Sequence, residues 1–146
     1  MPTKSCLETA SASLTASYQQ ANHNQRRRAA LAMCLFAVEQ AGLQGGEVDA
    51  ALALLRGDVP GSSDMQQKLD RLAAQLDEEY FRLSADTENI TSEALVMCRK
   101  ARAAAALALA LSPHGEHLDE ALYEAIYAWS DSDEATQAAE AMLRAK

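Results

Sequence analysis

The amino-acid sequence predicts an all-α protein: a compact, single-domain bundle of about six to seven helices. Alanine and leucine dominate its apolar residues, and both favour helices because they lose little side-chain freedom there. The β-branched and aromatic residues that fit a pleated sheet are scarce. Glycine and proline fall between the apolar segments, so short loops are expected to join the helices. A chain of 146 residues matches one domain, since domains commonly contain about 100–200 residues.

Seven helical segments are predicted from the spacing of apolar residues and from residues that favour helix ends. They cover about residues 5–20, 24–41, 47–56, 63–83, 87–111, 113–129 and 131–143. The first opens with Ser5 and Glu8 at the spacing of a capping box, but it is otherwise rich in Ser, Thr and Ala. We therefore expect residues 1–22 to form a loosely docked N-terminal helix. Gly42 ends the second helix, because glycine adopts a left-handed cap at little cost.

The later segments are predicted to supply most of the core. Ser63 is expected to cap the fourth helix, and Thr87 or Thr91 the fifth. The fifth helix is apolar nearly all round, which is typical of a helix at the centre of a bundle. Pro113 is predicted at the first position of the sixth helix, where its missing N–H costs nothing. The apolar stripe of that helix consists of Leu118, Leu122, Ile126 and Trp129.

The charge balance favours a cationic partner and argues against nucleic acid. The chain has 21 acidic and 13 basic residues, which gives a net charge of −8. This charge repels phosphate backbones and attracts cationic proteins. The alternative is that the charge serves only to keep the protein soluble. Two basic clusters, 26–28 and 99–102, are expected to pair with neighbouring acidic helices. No export signal is visible, and the longest apolar run, 103–111, is too short to span a bilayer. We expect a cytoplasmic protein with neither a membrane nor a nucleic-acid partner.

No residue pattern indicates catalysis, a metal or a cofactor, and we predict that the chain is not an enzyme. Cys34 and Cys98 fall on apolar helix stripes, where cysteine behaves as a small apolar residue rather than a nucleophile. His117 and Glu120 share the i, i+3 spacing of metal ligands on a helix, with His114 nearby. The sequence contains no second pair of this kind, so a helical-bundle metal enzyme is kept only as an alternative.

The most specific feature of the sequence is a row of carboxylates with interleaved tyrosines. Residues 116–140 contain eight acidic residues and no Lys or Arg. Like charges four residues apart on a helix are mildly destabilising, so stability does not explain the row. Tyrosines beside carboxylates are typical of a surface that binds a basic protein. The alternative interpretation is a helix face that is exposed to solvent and binds nothing. The predicted partner-binding residues are Glu116, Asp119, Glu120, Tyr123, Glu124, Tyr127, Asp131 and Asp133.

Two alanine-rich runs, residues 26–34 (RRRAALAMC) and 48–58 (VDAALALLRGD), resemble the helical immunity proteins that bacteria encode beside polymorphic toxins. Residues 101–111 and 120–128 are similar in composition, so the likeness extends over about residues 24–130. The resemblance implies a protein that binds and neutralises a cognate cationic toxin, with a nuclease as the first candidate because phosphate-binding surfaces are basic. It implies no particular site residue. The alternatives are a small helical adaptor or secretion chaperone and the metal-dependent helical enzyme.

Overall fold

The computed structural model describes residues 12–57, 63–85, 92–111, 117–129 and 132–145. These residues form seven α-helices and no strand, which confirms the predicted all-α bundle. The helices are α1 (Ala12–Gln20), α2 (His23–Ala41), α3 (Gly46–Arg56), α4 (Ser63–Ser84), α5 (Ser92–Ala110), α6 (Leu118–Ala128) and α7 (Ser132–Arg144). None of these helices combines the length with the apolar character of a bilayer span.

Helix α2 shows how local sequence determines the ends of a helix. The backbone N–H of Gln25 donates to Asn22 Oδ1 at 2.8 Å, and the backbone N–H of Asn22 donates to Gln25 Oε1 at 2.8 Å. This reciprocal pair is a capping box. At the other end, Gly42 has a left-handed backbone with φ 70° and ψ 29°, and its N–H donates to the Glu39 carbonyl at 3.2 Å. The predicted end of this helix at Gly42 is confirmed.

Helix α6 begins later than the sequence analysis predicted. Its first helical residue is Leu118, after an N-cap residue, His117, whose side chain makes no capping hydrogen bond. Asp119 and Glu120 stand in the first turn, where the helix dipole favours negative charge and stabilises a start at this point. The predicted start at Pro113 falls outside the described residues. The same is true of the proposed capping residues Ser5, Thr87 and Thr91.

Helix α5 lies at the centre of the bundle, as its composition predicted. It packs along α4 and α6 and also contacts α2 and α3. Its fully buried side chains are mostly alanines, with Leu107 as the largest. Small side chains allow neighbouring helices to approach closely, which explains how one helix can contact several others. The core formed in this way includes residues of all seven helices.

Helix α1 is attached to the bundle by a buried leucine and by an arginine of α2. Leu14 is 0% exposed, and α1 packs against α7. The Arg26 guanidinium carbon lies 4.3 Å from the centre of the Tyr18 ring, and Arg26 Nε donates to the Tyr18 carbonyl oxygen at 2.9 Å. Specific contacts therefore dock the described part of the N-terminal segment. Residues 1–11 lie outside the described residues, so loose docking stays a prediction for them.

Candidate functional site

Helix α6 turns one side to the core and the other side outward. The buried side includes Leu118, Ala121, Leu122, Ala125 and Ile126. The opposite side carries five of the residues that were predicted to bind a partner, and all five are at least partly exposed. We call these residues the α6 face: Asp119, Glu120, Tyr123, Glu124 and Tyr127. Their helical spacing alone accounts for their common orientation.

Two tyrosines form the aromatic part of the α6 face. The ring centroids of Tyr123 and Tyr127 lie 4.8 Å apart, and the ring planes are inclined by 54°. Tyr123 packs partly against the core, whereas Tyr127 is 42% exposed. Contact with a half-buried neighbour restricts the exposed ring, so less side-chain entropy is lost when a partner covers it. The Tyr127 ring is therefore both exposed and held by Tyr123.

Glu124 differs from the other carboxylates of the α6 face, because an arginine of α5 binds it. Arg102 Nη1 donates to Glu124 Oε2 at 3.0 Å, and Arg102 Nη2 donates to Asp77 Oδ2 of α4 at 3.0 Å. Burial raises the pKa of Glu124, while the positive charge of Arg102 lowers it. The predicted intramolecular pairing of the basic cluster 99–102 is thus confirmed for Arg102. Glu124 ties α6 to α5 and is less available to a partner than its spacing suggested.

The N-terminal end of the α6 face adjoins helix α1. His117 Nδ1 lies 3.3 Å from Glu120 Oε1, and the Glu120 side chain remains 45% exposed. Burial, followed by the negative charge of Asp119, raises the pKa of the Tyr18 hydroxyl on α1. Tyr18 is thus a neighbour of the α6 face that the sequence analysis did not identify. The contact joins residues about a hundred positions apart, which helical spacing cannot reveal.

The remaining predicted partner-binding residues fall beyond α6. Glu116 and Asp131 lie outside the described residues. Asp133 is exposed in the first turn of α7, a helix that packs against α6. Carboxylates in a first turn stabilise a helix through its dipole, so Asp133 has a structural role whether or not it contacts a partner.

The described residues contain no cluster of three or more His, Cys, Asp or Glu side chains that could hold a metal ion. His117 and Glu120 are adjacent, as their spacing predicted, and His114 lies outside the described part of the chain. Burial raises the pKa of the Cys34 thiol to about 12, which keeps the thiol protonated. A protonated thiol is a poor nucleophile, so Cys34 does not have the properties of a catalytic cysteine.

A groove lies between the second half of α2 and helix α3. It has a volume of about 610 Å³ and is lined largely by apolar side chains, including Leu35, Phe36, Leu43 and Leu52. Phe36 is 41% exposed, and its ring contacts that of Trp129 edge-on at a centroid distance of 5.9 Å. The groove is the part of this surface that best matches the adaptor alternative, because an adaptor binds a peptide through apolar side chains.

No protein-family model matches the chain, and neither a curated protein nor a solved structure matches it.

Proposed function

We propose that this chain is a protein-binding module of the immunity type, which binds and neutralises a cationic toxin domain through the α6 face. The observation that supports this most directly is the exposed Tyr127 ring, held against Tyr123 on the side of α6 that also carries Asp119 and Glu120. Tyrosine offers a large contact area at small entropic cost, and carboxylates orient a basic partner. The toxin as partner comes from the resemblance to immunity proteins, whereas the protein-binding role rests on the α6 face.

The proposed mechanism assigns different tasks to the residues of the α6 face. The net charge of −8 attracts a cationic domain, and Asp119 and Glu120 pair with its basic side chains. Tyr127 enters a depression of the partner and excludes water from the contact. Glu124 stays bound to Arg102 and holds α6 in position. A nuclease fits this mechanism because its phosphate-binding surface is basic, and an acidic protein that covers the surface blocks the substrate.

A peptide-binding adaptor is the second candidate function, and the groove between α2 and α3 favours it. Phe36 and Leu43 would contact the apolar side chains of a bound peptide there. The two candidates use different residues, so one set of variants distinguishes them. The metal-dependent enzyme has no comparable support, because its ligands do not converge in the described part of the chain.

Affinity capture with this chain as bait, followed by mass spectrometry, tests the proposal when binding is also measured for matched variants. Tyr127→Ala is expected to weaken binding of a basic partner by about 2 kcal/mol or more, as is usual for a central aromatic contact. Asp119→Asn with Glu120→Gln should chiefly slow association and reduce its dependence on salt. Asp70→Asn with Glu78→Gln changes the net charge equally at two exposed positions of α4 and serves as the control.

The variants yield opposite results for the two candidate functions. Loss of binding in the α6 variants, with the control unchanged and circular dichroism intact, would support the immunity-type module. Loss of binding in Phe36→Ser, with Tyr127→Ala unaffected, would instead support the adaptor. A captured partner that is acidic, or that binds all α6 variants as tightly as the unmodified chain, would contradict the proposal.

A further inference from the structure

A second concave surface combines positive charge with an apolar floor. It has a volume of about 510 Å³ and lies where the start of α2, the end of α3, the end of α5 and the start of α6 meet. Its volume is within the range of small-molecule sites, which commonly measure about 300–1,000 Å³. We call it the arginine cavity, because its described lining includes Arg27, Arg28 and Arg56 and no carboxylate.

The arginines of this cavity bring positive charges together in a protein of net charge −8. Arg28 and Arg56 are exposed, and their guanidinium groups form no ion pair or hydrogen bond with any described residue. Among the other arginines, Arg26 binds the Tyr18 carbonyl and Arg102 binds two carboxylates. Arg71 and Arg99 also form no ion pair with a described residue, but they line no cavity with Arg28 and Arg56. The prediction that the cluster 26–28 pairs within the chain therefore does not extend to Arg28 among the described residues. Two guanidinium groups that have no acidic partner among the described residues lie at one cavity and form a ready site for an anion.

Helix stability does not explain where Arg28 stands. It lies near the N-terminus of α2, a helix with no acidic residue in its first turn. Arg28 is the sixth residue of this helix, beyond the first turn in which the helix dipole acts most strongly, so the dipole gives no reason for its charge. The first turns of α2 and α6 both border the cavity, through Asn24 and Leu118, and each adds a positive partial charge. An anion in the cavity would face the guanidinium groups and both helix N-termini.

The floor of the cavity determines what the anion is attached to. Leu31 and Leu55 line it together with the alanines at positions 30 and 110. An inorganic ion would leave these apolar side chains uncovered, whereas an organic body would cover them and gain the hydrophobic contribution of the buried area. We propose that the arginine cavity binds a small organic phosphate with an apolar or aromatic body, in which Arg28 and Arg56 bind the phosphate. This site is independent of the α6 face and of the function proposed for it.

Phenyl phosphate is a suitable probe because it contains both parts of the proposed ligand. Its binding to the full chain can be compared by calorimetry and heteronuclear NMR with that of phenol, which lacks the charge, and inorganic phosphate, which lacks the ring. We expect phenyl phosphate to bind about tenfold more tightly than either. We also expect its NMR shifts to concentrate at the starts of α2 and α6 and at the end of α3.

The decisive variant is Arg28→Gln with Arg56→Gln, which retains side-chain length and removes both charges. It should bind phenyl phosphate about tenfold more weakly than the unmodified chain. Arg71→Gln with Arg99→Gln removes the same charge from α4 and α5 and should bind it normally. Equal weakening in both double variants would attribute binding to net charge and overturn the proposal. The proposal also fails if phenol or inorganic phosphate binds as tightly as phenyl phosphate, or if the shifts map elsewhere.

Discussion

Arg102 lies between carboxylates of two other helices, and its side chain is 30% exposed. Burial is the main reason for the raised pKa of Glu124, so an ionised Glu124 lowers the stability of the fold unless a cation offsets it. We predict that Arg102→Gln lowers the free energy of unfolding by about 1–2 kcal/mol near neutral pH. The loss should shrink as the pH falls through the raised pKa of Glu124, which lies above the ordinary value of 4.5, because a protonated carboxyl needs no cation. Urea unfolding at several pH values measures both effects.

A double-mutant cycle tests whether Glu124 is the cause of this loss. In a chain that already carries Glu124→Gln, the further change Arg102→Gln should cost clearly less, because only the contact with Asp77 remains to be lost. The surface pair of Glu79 and Arg82, with side chains 40% and 67% exposed, provides the comparison, and Arg82→Gln should change stability little. A cost of Arg102→Gln that is independent of both pH and Glu124 would show that the arginine acts through packing alone.

At the scale of helices, local signals predicted most of the fold. Apolar spacing and glycine gave the ends of α2 and α3 to within about one residue, because these signals act over one or two helical turns. The start of α6 at Leu118 was not predicted, because a proline is tolerated at a helix start but does not require one. The acidic residues Asp119 and Glu120, which favour a first turn at this point, were interpreted only as a binding feature. Helical spacing correctly placed the five residues of the α6 face on one side of the helix.

Long-range pairing was beyond these local rules. Arg102 and Glu124 are 22 residues apart, and the arginine cavity joins residues of four helices. Only the mutual arrangement of helices brings such groups together, and the local patterns of a single sequence carry no record of that arrangement. The charge of the two basic clusters was evident in the sequence, but the different fates of Arg26, Arg28 and Arg102 depend on which neighbours the fold gives them.

Two glycines at the connection between α2 and α3 allow a direct test of the cap of α2. Gly42 has φ 70°, whereas Gly46 begins α3 with an ordinary φ, and an added Cβ meets no atom within 4 Å at either position. Gly42→Ala should therefore destabilise the fold by about 1 kcal/mol through backbone strain alone. Gly46→Ala should be neutral or stabilise it by up to about 1 kcal/mol, since alanine favours helices. Thermal unfolding of the two variants compares these effects, and equal destabilisation would contradict a strained cap at Gly42.

At the scale of the whole molecule, a cavity lined by arginines of α2 and α3 adjoins the acidic α6 face at the start of α6. Leu118 borders the arginine cavity from the inner side of that helix, and the next residue, Asp119, belongs to the outer α6 face. The excess of negative charge therefore does not produce a uniformly acidic surface. The α6 face is acidic and the neighbouring cavity is basic, and each has apolar side chains beside its charged groups.

Global stability should fall at alkaline pH because Cys34 is fully buried. Burial raises the pKa of Cys34 from 9.0 to about 12, so between these pH values the unfolded chain releases a proton that the folded chain retains. The free energy of unfolding should then decrease by up to about 1.4 kcal/mol per pH unit. Urea unfolding of Cys34→Ala should show a clearly smaller decrease, whereas Cys98→Ala, which removes a half-buried thiol, should retain the decrease of the unmodified chain. Tyr18, whose pKa burial also raises, acts in the same direction in all three proteins and cancels in the comparison. A slope unchanged by Cys34→Ala would assign alkaline unfolding to the growing negative charge of the molecule instead.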